Sequence, residues 1–252
     1  MAAAPWNGTF APFRDAVAVV LRSSWDYHEA PDAYLEWLER LDARRTFNAP
    51  ALVRWNVSKA HVLDLARRGA TVPRTREVTA DPRAIAAALE DLGLEHGVIK
   101  PLIGASGFGV ERVSRDTAAQ ALERAAAHKT MDRILVQEFV DGIEAGEVAG
   151  VFFDGVFSHG LRRIPAAGEF RINAQYGGRM EAADLAPETV REMSTVLALL
   201  PHPALYARID GLLQGTRFVL MEVEVNEPGL GLHLVPGAAE RFADALVGRL
   251  PT

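Results

Sequence analysis

The chain contains no cysteine. This absence excludes disulfides, zinc–thiolate sites, iron–sulfur clusters and cysteine nucleophiles. It fits a reducing compartment without establishing one. Positive charge is also scarce, since 27 Lys and Arg face 33 Asp and Glu, which gives a formal net charge of −6. General nucleic-acid binding needs clustered positive charge, so it is disfavoured.

Long apolar runs are absent as well. The longest run near the amino terminus, residues 16–21, is too short to cross a bilayer and ends at Arg22. Arg14 and Asp15 interrupt the basic-then-apolar order of a signal peptide. We therefore expect a cytoplasmic protein with no membrane or nucleic-acid partner. Its 252 residues suffice for one large domain or for two to three subdomains around a shared cleft.

The hydrophobic pattern predicts a mixed α+β chain. A short apolar run at 15–21 favours a strand buried on both faces, and 48–55, with its proline, favours a connector. Asp154 and Gly155 favour a two-residue hairpin turn. Periodicity and capping residues predict helices at 34–41, 56–69, 82–92, 117–128, 187–200 and 236–250, and strands at 97–101, 110–113, 134–140, 148–153, 156–164, 204–213 and 217–226.

A glycine-rich loop follows Lys100 and contains Gly104, Ser106, Gly107 and Gly109. Glycines allow backbone N–H groups to approach a phosphate, and the lysine adds a compensating charge. The loop is not a P-loop, because no Gly-Lys-Ser/Thr ends it. It is not a dinucleotide fingerprint either, because a strand rather than a helix follows it. By itself the spacing is more typical of an ordinary turn beside a solvated lysine.

An acidic row lies near the carboxyl terminus. Glu222, Glu224 and Asn226 alternate with apolar residues, so in a strand their side chains share one face. Asp210, on the preceding predicted strand, is placed to face the same row. Carboxylate and amide oxygens suit Mg²⁺ or Mn²⁺. A solvent-facing polar row is the alternative, but it does not explain Asp210 within so apolar a strand.

A basic segment lies between these two features. It contains Arg162, Arg163, Arg171 and Arg179. Arginine can hold a phosphate through two hydrogen bonds. Taken alone, the segment is more typical of a mobile, charged surface loop.

The order of these parts, from Arg22 to about Leu234, resembles the ATP-grasp superfamily. It is most similar to the branch that contains the cyclo-ligase of cycloserine biosynthesis. The resemblance implies two α+β lobes that clasp ATP, preceded by a truncated α/β subdomain, because only one strand and one helix are evident before Asn48. The expected divisions are a partial amino-terminal subdomain at 1–55, a small ATP-grasp subdomain at 56–136 and a large one at 137–252.

The resemblance also implies site residues. Lys59 and Lys100 would contact the ATP phosphates, with Lys100 also near the adenine, and Glu144 would bind the ribose hydroxyls. Arg171 would stabilise the γ-phosphate or an acyl-phosphate. The hinge that reads adenine would comprise Gln137, Glu138, Phe139 and Val140.

Family members usually end the metal site with Glu-x-Asn. Glu222 and Glu224 match the family's spacing from Asp210, whereas Glu224 and Asn226 match its residue types, so the register stays open by two positions. Candidates for the substrate pocket are Arg22, Ser24, Trp25, Asp26 and His159. For His159, a partly buried hairpin histidine is an equal alternative.

The implied activity is an ATP- and Mg²⁺-dependent ligase that joins a carboxylate to an amine or other nitrogen nucleophile through an acyl-phosphate. Its substrate would be a small, amino-acid-like molecule, and a homodimer is left open. A phosphotransferase on the same fold is one alternative. A non-catalytic ATP-binding module with a reduced substrate domain is another.

Overall fold

The computed structural model describes residues 2–126 and 131–250. In these ranges the α-helices are α1 Ala11–Asp15, α2 Pro31–Glu39, α3 Pro50–Val57, α4 His61–Arg67, α5 Pro82–Asp91, α6 Ala118–Ala126, α7 Pro187–Ala198 and α8 Ala238–Val247. The strands are β1 Val19–Val20, β2 Thr46–Phe47, β3 Thr75–Thr79, β4 His96–Pro101, β5 Glu111–Ser114, β6 Arg133–Glu138, β7 Glu147–Phe153, β8 Val156–Ile164, β9 Arg179–Ala183, β10 Tyr206–Gln214 and β11 Arg217–Glu224.

The first large sheet is antiparallel, with the strand order β3-β6-β4-β5. Helices α5 and α6 cover one face of it. Ile85 and Leu89 of α5 and Ala121 of α6 are buried against Ile99 and Val136 of the sheet. This packing leaves the glycine-rich loop, between β4 and β5, at the end of the sheet.

The second large sheet is also antiparallel, with the order β11-β10-β7-β8-β9. Its central strand, β7, is buried along its whole length. Val148 and Phe152 pack towards α7, whereas Val151 and Phe153 pack with residues of α8. Side chains that alternate along a strand therefore fill two cores, one on each face of the sheet.

The amino-terminal segment, residues 2–57, packs around a fourth core, centred on Tyr34, Trp37 and Leu38 of α2. Two buried asparagines tie this segment to the second sheet. Asn48 Nδ2 donates to the carbonyls of Tyr206 (2.8 Å) and Val225 (2.6 Å). Asn56 binds the same strand end, since its Nδ2 donates to Val223 O at 2.7 Å and its Oδ1 accepts from Val225 N at 3.0 Å.

The predicted hairpin is confirmed. Strands β7 and β8 pair in antiparallel register across Asp154 and Gly155, whose φ angles are 49° and 83°. Both central residues of a type I′ turn need positive φ, which asparagine, aspartate and glycine tolerate best. The other predicted helices and strands are found within a few residues of their expected limits, with two exceptions. The helix expected at 56–69 is only His61–Arg67, because residues 56–57 end α3 and residues 58–60 are not helical. Residues 127–128 of the helix expected at 117–128 lie outside the described residues.

Two amino-terminal predictions are wrong. The strand expected at 15–21 is only Val19–Val20, because α1 already occupies residues up to Asp15. The connector expected at 48–55 contains helix α3. Pro50 is the first residue of α3, where a fixed φ and a missing N–H favour helix rather than oppose it.

Strand β11 ends at Glu224, two residues before the expected limit. The subdomain divisions at 55 and 136 stay predictions. In the described parts of the chain, no helix has the length and apolar character needed to cross a membrane.

Candidate active site

A cavity of about 430 Å³ lies between the two large sheets. Its walls come from β4, the glycine-rich loop, the end of β6, the segment before β9, and strands β10 and β11. Trp25 and Tyr27 of the amino-terminal segment also line the cavity, as does Lys59, which follows α3. Several apolar residues of the lining pack together in one cluster, whereas other lining residues are charged.

One end of the cavity is apolar and lies beside the expected hinge. Phe139 and Val140 line it, together with Val98, Leu212 and Met221. Apolar walls next to free backbone groups suit a flat heteroaromatic ring. This is the arrangement expected for an adenine pocket.

Two of the expected nucleotide-binding residues do not line the cavity. Gln137 is buried in the sheet, where its Nε2 donates to Thr75 Oγ1 at 2.9 Å. Glu144 is exposed and does not line the cavity. Glu138 does line it, while its carboxylate pairs with Arg74 at 2.9 Å.

The glycine-rich loop closes one side of the cavity. Gly104, Ser106 and Gly107 line it, and Gly109 lies just outside. Gly107 has a φ of 73°, and a Cβ there would lie 2.5 Å from Asn173 Oδ1, so this position favours glycine. Gln175 Nε2 donates to the carbonyl of Ser106, which joins the loop to the segment before β9.

The two expected phosphate lysines both line the cavity. Lys59 pairs with Glu222; burial alone would lower the pKa of Lys59, but this partner outweighs burial and raises it. Lys100 has no carboxylate within 4.0 Å in the described part of the chain, and burial lowers its pKa. A bound polyphosphate would supply the negative charge that Lys100 lacks.

Arg171 is held in place at the edge of the cavity. Its Nη2 lies 2.8 Å from Glu169 Oε2, and its guanidinium lies 3.8 Å from the centre of the Tyr176 ring. Glu111 lies 3.7 Å away on a second side. The hydrogen bonds from Arg171 lower the pKa of Glu169 to about 2. The guanidinium is therefore positioned before any ligand binds.

The acidic row forms a cluster on β10 and β11. Asp210 lies opposite Glu222 in the register of these strands, and Glu224 lies two residues further along. One oxygen from each of the three carboxylates lies within 4.8 Å of the others. Such a set of hard oxygen donors fits a magnesium or manganese ion.

Basic side chains neutralise this cluster. Asp210 Oδ2 accepts from Arg163 Nη1 at 2.5 Å and from Arg208 Nη2 at 2.8 Å. Arg208 also donates to Glu224, and Lys59 to Glu222. Each carboxylate oxygen has two lone pairs, so these contacts leave acceptor capacity for a cation.

The carboxyl groups around the cavity differ in protonation. Burial would raise the pKa of Glu222, but the charge and hydrogen bond of Lys59 lower it to about 2. Burial raises the pKa of Glu224 in spite of Arg208. Glu147, on the neighbouring β7, is also buried, and its pKa rises to about 7 although Arg163 lies 3.8 Å away. Lys59 therefore holds Glu222 in its ionised form.

Asn226 lies apart from the cluster. Its Oδ1 accepts from Tyr34 Oη at 2.6 Å in the core of the amino-terminal segment. The chain leaves strand geometry after Glu224, so the alternation that placed Asn226 on the acidic face no longer applies. Of the two registers left open by the sequence, the structure brings together Asp210, Glu222 and Glu224.

The expected substrate residues separate into two groups. Trp25 lines the cavity, and its Nε1 donates to the carbonyl of Glu227 at 3.0 Å. The other four do not line it. Asp26 accepts from Trp6 Nε1 at 2.7 Å. His159 Nε2 lies 2.8 Å from Leu230 O, as a buried histidine of the hairpin rather than as a substrate contact. Arg22 lies over the Tyr206 ring, and Ser24 is buried.

Several residues that line the cavity did not emerge as candidates from the sequence. Arg208 and Asp210 are two apart on one strand and therefore share a face, a signal that could have identified the arginine. Glu147, Glu227 and His61 carry no comparable signal. Burial lowers the pKa of His61 to about 4, so its imidazole is neutral near pH 7.

Known proteins resemble this chain along its length. The family model described as "Prokaryotic glutathione synthetase, ATP-grasp domain" matches residues 63–230, and the model of the amino-terminal domain of D-cycloserine synthetase DcsG matches residues 1–48. The cycloserine biosynthesis protein DcsG of Streptomyces lavendulae is 30% identical, over 92% of this chain and 83% of that protein. A glutathione synthetase of Parasynechococcus marenigrum is 28% identical, over 98% of this chain and 80% of its own length.

The structural comparison agrees with these matches. The crystal structure of D-cycloserine synthetase DcsG superposes with a TM-score of 0.83 at 26% identity, over 98% of this chain and 88% of that one. The predicted fold and the predicted class of ATP-dependent ligase are confirmed by these relatives. The chain therefore belongs to the ATP-grasp family.

Proposed function

We propose that this protein joins a carboxylate to an amine or other nitrogen nucleophile at the expense of ATP, through an acyl-phosphate. The observation that carries this proposal is the content of one cavity. Its lining combines an apolar hinge, two lysines, a positioned arginine and the carboxylates of Glu222 and Glu224, which form a cluster with the buried Asp210. Phosphoryl transfer needs little covalent protein chemistry, and positioned charge is its main requirement.

The apolar end of the cavity would bind the adenine. Phe139 and Val140 would offer backbone groups beside apolar walls, and Lys59 and Lys100, which also line the cavity, would contact the phosphates. Gly104 and Gly107 let backbone N–H groups approach the phosphate chain. The segment that holds Gln175 closes over this loop and would exclude water from the phosphates.

Asp210, Glu222 and Glu224 would hold the Mg²⁺ that accompanies the nucleotide; Mn²⁺ would fit the same donors. The ion would supply charge neutralisation at the phosphate oxygens. The chain's own contribution is to keep the three carboxylates together without an ion. Arg163, Arg208 and Lys59 do this through direct ion pairs.

The first step would be attack of a substrate carboxylate oxygen on the γ-phosphorus, with ADP as the leaving group. Arg171, fixed by Glu169, would stabilise the negative charge on the phosphoryl oxygens. In the second step the nitrogen nucleophile would attack the acyl carbon, and inorganic phosphate would leave. The nucleophile's proton would pass to solvent or to the departing phosphate.

The size of the cavity supports a small-molecule substrate. Trp25, Tyr27, Arg163 and Arg208 also line the cavity, and the substrate would lie beside them. Cavities of this volume hold single small ligands rather than polymer chains. The contact between Gln175 and the glycine-rich loop also encloses the cavity, which favours a compact acid and a compact amine.

A thermal-shift titration with ATP and Mg²⁺ tests the proposal. Because a ligand that binds only the folded state stabilises it, a Tm rise is expected for the wild type and a much smaller rise for Lys100→Met. Arg191→Met, an exposed substitution on α7, is the matched control and should behave like the wild type. Absence of any wild-type shift at millimolar nucleotide would contradict nucleotide binding in this cavity.

A further inference from the structure

Lys59 lies in a turn that contacts both large sheets of the fold. Its backbone N–H donates to the carbonyl of Leu102, which directly follows β4, at 2.7 Å. Three residues earlier, Asn56 is bound to the end of β11. His61 fixes the turn from the other side, since its Nδ1 donates to the carbonyl of Ser58 at 2.8 Å. The base of the lysine is therefore held in place, and a change of partner by its ammonium requires movement of the side chain alone.

The side chain of Lys59 ends at one of the three clustered carboxylates. It pairs with Glu222, and within residues 2–126 and 131–250 no other basic side chain has a nitrogen within 4.0 Å of this carboxylate. Both residues line the cavity. The side chains of Lys59 and Glu222 are 18% and 30% exposed, so a ligand in the cavity can reach the pair.

The other two carboxylates of the cluster are held differently. Asp210 is bound by Arg163 and Arg208, and Arg208 also donates to Glu224. A planar guanidinium with several partners is fixed in position, whereas an ammonium with one partner on a flexible four-carbon stem can move. Lys59 is therefore the exchangeable cation of the cluster.

The formal charges of the cluster balance without an ion. Three carboxylates are paired with two arginines and with Lys59. A balanced cluster offers a divalent ion little net attraction, and the ammonium on Glu222 repels it, because like charges a few ångströms apart interact strongly where water is largely excluded. Withdrawal of Lys59 would leave a net negative charge on the cluster and a Glu222 carboxylate without its cation.

We propose that Lys59 takes the place of the metal ion at Glu222 until the nucleotide arrives, so that nucleotide and metal bind cooperatively. This inference rests on the proposed function, in which Lys59 contacts the phosphates and Glu222 contacts the ion. On ATP binding, the ammonium moves from Glu222 to the phosphates, and the carboxylate becomes available to the ion. By linkage, each ligand then strengthens the binding of the other. The empty enzyme binds little free metal.

Removal of the ammonium separates this inference from an ordinary role in phosphate binding. In Lys59→Met, the nucleotide-free protein should bind Mn²⁺ more than ~10-fold more tightly than the wild type, because a like charge beside the metal site is gone. The same variant should bind ATP in the presence of EDTA more than ~5-fold more weakly, because a phosphate partner is gone. Electron paramagnetic resonance of unbound Mn²⁺ and isothermal titration calorimetry measure the two dissociation constants.

Lys100→Met is the matched control, since Lys100 lines the same cavity but does not pair with Glu222. It should weaken ATP binding and leave the Mn²⁺ Kd of the nucleotide-free protein within about threefold of the wild type. Adding Glu222→Gln to Lys59→Met should abolish the gain in Mn²⁺ affinity, because the released carboxylate is the ligand. Lys59→Gln is the second variant, judged by the same criteria if Lys59→Met lacks a cooperative unfolding transition.

Three results would overturn the inference. One is a Lys59→Met protein that binds Mn²⁺ no more tightly than the wild type. Another is an equal gain in Lys100→Met, which would assign the effect to the total charge of the cavity. The third is a gain that survives Glu222→Gln. The Tm rise of the wild type with ATP and Mg²⁺ separates these results from failure of the proposed function, because only the latter abolishes that rise.

Discussion

Arg163 Nη1 lies 2.5 Å from Oδ2 of Asp210, and the carboxylate of Asp210 is fully buried. Arg208 binds the same carboxylate from its own strand, at 2.8 Å. Asp210 therefore compensates two buried guanidinium groups in addition to its proposed role at the metal. Its loss would affect folding and chemistry together, whereas loss of Glu222 would affect mainly the chemistry.

We predict that substitutions of Asp210 and of Glu222 differ in their effects on stability and activity. Asp210→Ala should lower the free energy of unfolding by roughly 3–5 kcal/mol, because it removes the carboxylate that two buried guanidinium groups share. Glu222→Gln should cost less, since its side chain is 30% exposed, but should reduce Mg²⁺-dependent ADP release by about 100-fold or more. Urea denaturation and steady-state assays measure the two effects. Full turnover in Glu222→Gln would show that the metal is bound elsewhere.

Arg171→Lys is expected to damage catalysis without damaging the fold. The Arg171–Glu169 pair is about one-fifth exposed, so its contribution to stability should be below ~1 kcal/mol. Loss of a fixed donor at the transferring phosphoryl group should lower kcat by about 100-fold to 1,000-fold. The KM for ATP should change little. A lysine variant with a normal kcat would remove Arg171 from the reaction.

The pKa of Glu147 predicts how the free energy of unfolding depends on pH. Its pKa in the folded chain is about 7, above the ordinary value of 4.5, so between these two values the folded state binds more protons than the unfolded state. Stability should therefore fall as the pH rises from about 4.5 to 7, by roughly 3 kcal/mol from this group. Tm measurements across this range should show a shallower fall for Glu147→Gln. Parallel curves for the two proteins would contradict the prediction.

Asn48 joins the amino-terminal segment to the second sheet, and it is 1% exposed. Its side chain makes hydrogen bonds with the backbone of Leu205, Tyr206 and Val225. Asn48→Ala leaves these groups unpaired, and each such group costs about 1–3 kcal/mol. We expect a loss of several kcal/mol in the free energy of unfolding. Asn7→Ala, at an exposed position, is the control and should have no measurable effect.

The sequence predicted the parts of this fold that depend on local pattern. The β7–β8 hairpin follows from Asp154 and Gly155, whose positive φ angles a type I′ turn requires. Helix α3 was missed because Pro50 resembles a breaker when its position in the helix is not yet known. As the first helical residue it favours the helix.

The site was predicted less completely, for a related reason. Asp210, Glu222 and Glu224 share a strand pair, so alternation alone brings them together. The ion pairs that hold these carboxylates together join residues distant in sequence. The same is true of the hydrogen bond from Tyr34, which keeps Asn226 away from the carboxylate cluster. Pairing between distant polar side chains depends on the packed fold and has no local signature.

Transfer of oxygen from the acid to phosphate tests the central claim most directly. An amino acid labelled with ¹⁸O in its carboxylate is turned over with ATP, Mg²⁺ and hydroxylamine, and the inorganic phosphate is examined by mass spectrometry. An acyl-phosphate intermediate predicts one ¹⁸O atom in each phosphate released. Unlabelled phosphate, or phosphate retained on an acceptor, would contradict the account and would favour hydrolysis or phosphotransfer instead.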